Sequence, residues 1–249
     1  MDSLDVSHRI YLVCVHPNLY YLLLLYHRPF DIYFVHGWGF DKNFWLPTTK
    51  YIKKNNLIKS LFYIDLDFFG SNSKNIINTN SRINVFITHS CGLHWFLEKK
   101  INCLGLLNFF SAPSFINFQK NPKKVEKTLD LMIKKFHRSP NFVLEEFYKN
   151  CGITKIKLIN KINTKNLLKS LKDLRLKNYE NDFLKLSDKI SNVFAKDDKI
   201  FDLSPEKFNS LMYYKKQYVL INSDMHAYPY LRPKETAKII ENYLRSLRK

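Results

Sequence analysis

The chain has 249 residues, of which 45% are hydrophobic and 15% are aromatic. This composition excludes an intrinsically disordered chain, and the length suffices for one sizeable core or for a core with one large insertion. The formal net charge of +18 favours an anionic partner or substrate. Only 8 of the 40 basic residues are Arg, and a biased genome composition is a competing explanation for this excess of Lys. The chain has no aromatic–basic RNA signature and no zinc-finger spacing, so we do not expect a nucleic-acid partner.

The cysteines bear on the cellular compartment. The four of them contain no C-x-x-C pair and no other paired spacing. This pattern predicts a reduced, cytoplasmic protein without a structural zinc site. The cysteines are Cys14, Cys91, Cys103 and Cys151.

Residues 10–26 are strongly apolar, but a His-Pro-Asn sequence interrupts them. Neither half reaches the roughly 20 apolar residues that span a bilayer. The residues before this segment are acidic where a signal peptide is basic. The segment therefore predicts two buried strands or a hairpin, and no stable membrane insertion. Peripheral contact with a membrane stays open.

Short apolar runs alternate with segments of helical length and composition along much of the chain. Nearly continuous apolar runs are typical of strands that are buried on both faces of a parallel sheet. The alternation predicts an α/β fold, in which a mostly parallel sheet is flanked by helices. Strands are predicted at residues 31–35, 60–66, 83–88, 103–110, 190–194 and 217–221, and helices at residues 44–55, 92–100 and 234–247.

A Lys-rich segment interrupts this alternation. Its stretches VEKTLDLMIKKF and LLKSLKDLRL repeat Leu and Ile at helical spacing. Residues 112–190 carry 18 Lys and Arg against 8 Asp and Glu, which is +10 of the total charge. We therefore predict a core in two parts, residues 1–111 and 190–249, with a helical insertion at residues 112–189 between them.

Residues 85–96, VFITHSCGLHWF, place Ser90 where a predicted strand turns into a predicted helix. The pattern small-x-Ser-x-Gly at such a junction is typical of the nucleophile elbow of a serine hydrolase. Because the turn is tight, the residues two before and two after the serine must be small. Gly92 meets this requirement, whereas Thr88 stands where Gly is usual. An ordinary turn is the competing interpretation.

Two further polar residues follow predicted strands downstream. Asp198 comes after the strand at residues 190–194, and His226 comes after the strand at residues 217–221. Ser90, Asp198 and His226 follow one another in the chain order of the α/β-hydrolase triad. Each alone could be an ordinary loop residue, but their common position after strands favours a catalytic set.

A catalytic serine of this kind also needs two backbone N–H groups that bind the oxyanion. One comes from the residue after the nucleophile, here Cys91, and the other from the loop after an early strand. The sequence HGWGFDKNFW supplies that loop and places Trp38 at the donor position. Cys91 itself is not expected to be the nucleophile, because an elbow exposes its central residue.

The motifs HGWGFDKNFW, DLDFFGS, THSCG and HAYPYLRP occur in this order along the chain. Together they resemble the α/β-hydrolase family that removes the methyl ester from pimeloyl-acyl carrier protein in biotin synthesis. The likeness runs from residue 31 to the C-terminus and is patchy through the insertion. It departs from the family pattern at Asp67 and Phe68, which replace Pro and Gly, and at Thr88. It implies an α/β-hydrolase fold with a helical lid, no cofactor or metal, and an acyl carrier protein as partner.

The resemblance also assigns catalytic roles. It implies Ser90 as nucleophile, His226 as general base and acid, and Asp198 as the carboxylate that orients His226. Asp198 is preferred to Asp197 because AKDDKI matches the family motif with the acid in fourth place.

The remaining assignments concern substrate binding. By resemblance, Trp38 and Cys91 donate the oxyanion N–H groups and Phe147 lies at the substrate pocket. Lys157 and Lys161 take the positions that grip the carrier protein, and on a helix they would share one face at i,i+4 spacing.

Two alternatives stay open at this point. One is a small-molecule carboxylesterase or thioesterase of the same fold. The other is a binding protein without catalytic activity, in which Thr88 has impaired the elbow.

Overall fold

The computed structural model describes five parts of the chain: residues 28–71, 74–78, 83–154, 161–211 and 218–248. The strands expected within residues 10–26, together with Cys14, lie outside these parts. Within them, no helix combines the length and the apolar composition that a membrane crossing requires.

The described residues form a six-stranded sheet in which every neighbouring pair is parallel. The strand order is β2-β1-β3-β4-β5-β6, so the chain steps from β1 outward to β2 and then back across β1 to β3. The mostly parallel sheet expected from the sequence is confirmed. The strands are β1 Phe30–Val35, β2 Ile58–Ile64, β3 Asn84–His89, β4 Gly105–Phe109, β5 Ile190–Ala195 and β6 Tyr218–Ile221.

The central strands are buried on both faces. β1, β3 and β4 are buried along their whole length. On β1, the ring of Tyr33 stacks between Phe62 of β2 and Phe86 of β3, with ring centroids 4.7 and 4.8 Å away. Such packing fixes the pairing of the strands, because a slip by one residue would turn every side chain to the opposite face.

Helices connect the strands, and four of them begin with proline. Pro122, Pro140, Pro205 and Pro233 each lie in a first helical turn, where the missing N–H costs no hydrogen bond. The helices are α1 Leu46–Ile52, α2 Gly92–Lys99, α3 Pro122–Phe136, α4 Pro140–Asn150, α5 Thr164–Leu176, α6 Glu180–Leu184, α7 Pro205–Leu211, α8 Tyr228–Leu231 and α9 Pro233–Ser246.

The helix expected at residues 44–55 is shorter than predicted. A 3-10 turn, Lys42–Trp45, precedes α1, which ends at Ile52. The chain turns there because the side chain of Asn55 accepts a hydrogen bond from the Leu57 N–H at 2.9 Å. Asn favours such local side-chain bonds over a continuing helix.

The Lys-rich segment between β4 and β5 forms four helices, α3 to α6, within its described residues. Arg175 on α5 pairs with two acids of α3, Glu126 at 2.7 Å and Asp130 at 3.1 Å. Near the start of α5, Asn166 donates to the Asp67 carboxylate in the loop after β2 at 3.2 Å. Within this segment, α3 and α5 are therefore held to one another, and α5 is held to the core.

Three polar side chains run across the centre of the sheet. Asn108 on β4 donates to the side chain of Asn192 on β5 at 2.9 Å. It also accepts from the Thr88 hydroxyl on β3 at 3.2 Å. All three residues are fully buried. Because buried polar groups are costly unless they are paired, this network holds β3, β4 and β5 in one alignment just before Ser90.

His94 on α2 is a buried histidine that stays neutral. Its Nε2–H donates to the Ala112 carbonyl at 2.9 Å, and its Nδ1 has no hydrogen-bond partner among the described residues. Burial lowers the pKa of His94 from 6.5 to about 4, because the charged ring would lose its hydration. Between about pH 4 and pH 6.5, the unfolded chain therefore binds a proton at His94 that the folded protein does not bind.

We expect the free energy of unfolding to fall as the pH drops from 6.5 towards 4, because only the unfolded chain protonates His94. The variant His94→Gln removes this contribution, which reaches about 3 kcal/mol near pH 4. Urea unfolding of both proteins at several pH values measures it as a difference that changes with pH. A constant difference between the two proteins would contradict the prediction.

Candidate active site

Ser90 lies in a two-residue turn between β3, which ends at His89, and α2, which begins at Gly92. Its φ is 53°, in the left-handed region that residues other than Gly seldom adopt. The Ser90 N–H donates to the Phe109 carbonyl on β4 at 2.9 Å, which holds the turn against the sheet. Such strain persists only where the surroundings enforce it, and it is common at functional sites.

The space around this turn explains why Gly92 is needed. A Cβ at Gly92 would lie 2.8 Å from the carbonyl oxygen of His36 and 3.0 Å from that of Val35. Thr88 is fully buried, and its hydroxyl donates a hydrogen bond to the Asn108 side chain at 3.2 Å. The strained turn therefore forms with Thr in the position where Gly is usual.

Asp198 and His226 form a buried pair. The Nδ1–H of His226 donates to one Asp198 carboxylate oxygen at 2.7 Å. The other oxygen accepts the N–H groups of Ile200 at 2.8 Å and Phe201 at 3.1 Å. Because Asp198 fixes the proton on Nδ1, Nε2 of His226 is left as the basic nitrogen.

Ser90 and His226 are not hydrogen-bonded to each other in this structure. Nε2 of His226 is buried and has no partner among the described residues. The ring of His89, the residue before Ser90, has its centroid 4.8 Å from that of His226. Catalytic hydrogen bonds are often long without substrate and tighten when substrate binds. The structure thus brings a free imidazole nitrogen next to the turn that carries Ser90.

The loop after β1 packs directly against Ser90. A Cβ at Gly37 would lie 2.9 Å from the Ser90 Cβ, so this part of the loop cannot carry a side chain. Trp38 follows and is buried, and its Nε1–H donates to the Leu167 carbonyl on α5 at 3.0 Å. The insertion therefore helps to hold this loop in place.

His36 anchors the same loop from within. Its Nδ1 lies 2.9 Å from the Gly37 carbonyl, and its Nε2 lies 3.0 Å from the backbone nitrogen of Leu66. Because the Leu66 N–H can only donate, Nε2 is the acceptor and Nδ1–H is the donor. His36 thus links the loop after β1 to the loop after β2.

A cavity of about 840 Å³ opens onto Ser90. Trp38 and Asp198 also line it, so the candidate nucleophile faces the same space as the loop after β1 and the buried carboxylate. The insertion supplies an apolar side, to which Leu129 of α3 and Phe147 of α4 belong. Its size and largely apolar lining are typical of small-molecule sites.

Cys91 is placed between Ser90 and α2. Its thiol is buried, and burial raises the pKa of Cys91 from 9.0 to about 12. A thiol nucleophile must reach the thiolate form, which is scarce at neutral pH with such a pKa. The side chain of Cys91 is therefore inert, as expected from its position in the motif.

The two lysines expected to grip a carrier protein do not form a described helical pair. Lys157 lies outside the described residues. Lys161 precedes α5, which begins only at Thr164 after the Asn163 cap, so the helical spacing assumed for Lys161 is wrong. The aliphatic part of Lys161 instead lies over Gly70, where an added Cβ would come 3.0 Å from the Lys161 Cε.

The sequence reasoning did not identify three residues that support the site: His89, Asn108 and Arg175. Each acts through a partner that is distant along the chain, at separations of 137, 84 and 45 residues. No local periodicity reports such pairs. The only signal in the sequence is the position of His89 within THSCG, directly before Ser90.

No family model and no curated protein matches the sequence, but solved structures do. The chain is similar to an esterase from Thermogutta terrifontis, with 16% identity, a TM-score of 0.65, and coverage of 89% of this chain and 92% of that one. It is similar to a bromoperoxidase from Bacillus anthracis, with 13% identity, a TM-score of 0.67, and coverage of 87% and 92%. It is also similar to an extracellular alpha/beta-hydrolase from a Paenibacillus species, with 13% identity, a TM-score of 0.57, and coverage of 86% and 99%.

These likenesses, together with the parallel sheet, show that the chain has the α/β-hydrolase fold. The fold predicted from the sequence is confirmed. At such low identity a shared fold does not assign an activity, so the function has to be argued from the side chains of the site.

We expect Gly92→Ala to lower the free energy of unfolding by about 1–3 kcal/mol, because the added methyl group meets two backbone carbonyl oxygens that cannot move aside. Lys99→Ala is the matched control, since it lies on the same helix and is exposed. Urea unfolding measures both variants. Equal stability of the two would show that the turn tolerates a Cβ and that the packing argument fails.

Proposed function

We propose that the protein is a serine hydrolase that cleaves carboxylic esters. The observation that supports this most directly is the buried bond of 2.7 Å between His226 and Asp198, next to a serine held at a φ of 53°. Ser90, Asp198 and His226 would then act as nucleophile, orienting carboxylate and base, in the chain order of the α/β-hydrolase triad.

The proposed reaction begins with proton transfer from Ser90 to His226. Nε2 of His226 accepts the hydroxyl proton while Ser90 Oγ bonds to the ester carbonyl carbon. The carbonyl π electrons move onto the oxygen, and the N–H groups of Trp38 and Cys91 bind the resulting oxyanion. When the intermediate collapses, the bond to the alcohol oxygen breaks and His226 returns the proton to it.

Water completes the cycle. His226 takes a proton from water as the water oxygen attacks the acyl-Ser90 carbonyl. Collapse of the second intermediate breaks the bond to Ser90 Oγ, which recovers its proton, and the acid leaves. Asp198 stabilises the charged His226 in both halves without taking a proton itself.

The solved structures are compatible with an esterase, but they do not favour an esterase over other enzymes of the same fold. The structure from Thermogutta terrifontis is an esterase, whereas the one from Bacillus anthracis is a bromoperoxidase of the same fold. The proposal therefore depends on the triad geometry. It also depends on a cavity of about 840 Å³ that gives an ester access to Ser90.

The finer proposal is that the substrate is the methyl ester of pimeloyl-acyl carrier protein, and that the protein acts in biotin synthesis in the cytoplasm. The resemblance of four sequence motifs supports it. The apolar side of the cavity, with Phe147 and Leu129, suits an acyl chain, and the helices α3 to α5 would act as the lid. Methanol would be the leaving alcohol.

The outer face of α3 supports an acidic partner such as a carrier protein. Leu131 lines the cavity and is 66% exposed, and Lys127 and Lys134 flank it at helical spacing. Both acids of α3 pair with Arg175 on α5 instead of with these lysines. The outer face of α3 therefore carries an excess of positive charge beside the cavity, which would steer an anionic partner towards Ser90.

We expect Ser90→Ala to lower turnover of methyl-pimeloyl-carrier protein by about 10⁴-fold or more, because no other group forms the acyl intermediate. The intact mass of the carrier protein shows loss of the methyl ester. Ser210→Ala, an exposed serine on α7, is the control and should retain full activity. Hydrolysis of nitrophenyl esters without demethylation would keep the serine hydrolase and reject the carrier-bound substrate. Inactivity of the wild type on both, with no fluorophosphonate labelling of Ser90, would favour a binding protein.

We expect the triple variant Lys123→Gln, Lys127→Gln, Lys134→Gln to lower kcat/KM for the carrier-bound ester by about 10-fold at low ionic strength, because α3 loses three charges that steer the partner. The difference should shrink as salt screens the remaining charges. Assays at increasing sodium chloride measure it.

The matched control removes three exposed lysines elsewhere, Lys99, Lys234 and Lys238. It should behave like the wild type on the carrier-bound ester. Neither variant should change the hydrolysis of a neutral nitrophenyl ester, since none of these residues lines the cavity. An equal loss in both triple variants would show that net charge, and not the face of α3, determines the rate.

A further inference from the structure

His89 lies at the centre of the site but has no role in the proposed reaction. It is fully buried, and its Nε2 lies 2.9 Å from the backbone carbonyl oxygen of His226. A carbonyl only accepts hydrogen bonds, so Nε2 carries a hydrogen and donates it. The Nδ1 of His89 has no hydrogen-bond partner among the described residues.

The charge state of His89 agrees with this arrangement. Burial lowers its pKa well below 6.5, and the neighbouring His226 lowers it further. The ring is therefore neutral at physiological pH. A neutral imidazole has one N–H, and here it is used for the His226 carbonyl.

The ring of His89 also contacts the loop after β1. A Cβ at Gly37 would come 2.5 Å from Nδ1 of His89, so the backbone of this loop packs on the edge of the ring. Phe44 stacks on its face, with ring centroids 4.5 Å apart and an angle of 25°. The side chain of His89 thus contacts the loop after β1 and donates a hydrogen bond to the backbone of His226. His89 also directly precedes Ser90 in the chain.

We propose that His89 is a positioning residue, whose Nε2–H fixes the backbone of His226 so that the imidazole of His226 meets Ser90; this inference rests on the serine hydrolase proposed above. Asp198 holds the ring of His226 from Nδ1, and the Ala227 N–H donates to the Cys151 carbonyl at 3.0 Å. The bond from His89 holds the peptide carbonyl between these two anchors. Together the three contacts determine where Nε2 of His226 lies.

Two variants separate the donor from the bulk of the ring. His89→Phe keeps an aromatic ring but has no N–H, whereas His89→Gln supplies an amide N–H at a similar distance from the backbone. We expect His89→Phe to lower kcat for a nitrophenyl ester by about 10- to 100-fold, because a small displacement of a catalytic group is costly. KM should stay within about twofold, since His89 does not line the cavity. His89→Gln should recover most of kcat.

Wild-type kcat in His89→Phe would overturn the proposal. Equal impairment of the Phe and Gln variants would overturn it as well, because packing alone would then explain the loss. Circular dichroism and urea unfolding establish that the variants are folded before their kinetics are compared.

A measurement on the wild type covers the case in which a variant does not fold or the esterase assay is silent. Nitrogen-15 NMR of histidine-labelled protein reports the tautomer of each ring. The proposal requires that His89 is neutral between pH 5 and pH 8 with its hydrogen on Nε2. A hydrogen on Nδ1, or a charged ring in that range, would overturn it. Loss of activity in Ser90→Ala tests the serine hydrolase separately.

Discussion

The site depends on one steric constraint, the crossing of the β3–α2 turn over the end of β1. Only Ser90 and Cys91 separate the strand from the helix, and the turn closes because Ser90 accepts a φ of 53°. Gly92 then approaches the carbonyl oxygens of His36 and Val35 so closely that a methyl group would collide with them. Any larger residue would lift α2 off β1 and move Ser90 away from the loop that packs against it.

The parallel sheet turns this local constraint into a site. In a parallel sheet the carboxyl ends of all strands lie at one edge, where loops of different strands meet. Ser90 follows β3, Trp38 follows β1, Asp198 follows β5 and His226 follows β6. The insertion leaves and re-enters the core between β4 and β5, and its helices line the cavity over Ser90. Chain order and strand order together therefore bring Trp38, Asp198, His226 and the helices of the insertion to the same edge of the sheet as Ser90.

Much of the fold and of the candidate site could be predicted from the sequence. Strands that are buried on both faces appear in the sequence as apolar runs, and polar residues directly after such runs can be identified. The sequence predicts Ser90, Asp198 and His226 as a catalytic set in this way, and the structure pairs Asp198 with His226. The 3-10 turn before α1 and the start of α5 after Lys161 depend on local caps that the periodicity does not report. The contact from His89 to the His226 carbonyl joins residues 137 positions apart, and nothing in the local pattern predicts it.

The neutrality of His89 also matters for the proposed chemistry. His226 becomes positively charged when it takes the Ser90 proton, and the His89 ring lies 4.8 Å from it. If His89 were charged as well, the repulsion at an effective dielectric constant of about 20 would be about 3 kcal/mol. A penalty of that size in the transition state corresponds to a rate loss of about 100-fold. Burial keeps His89 uncharged and so allows a second imidazole next to His226, where it can donate a hydrogen bond without opposing the charge that forms there.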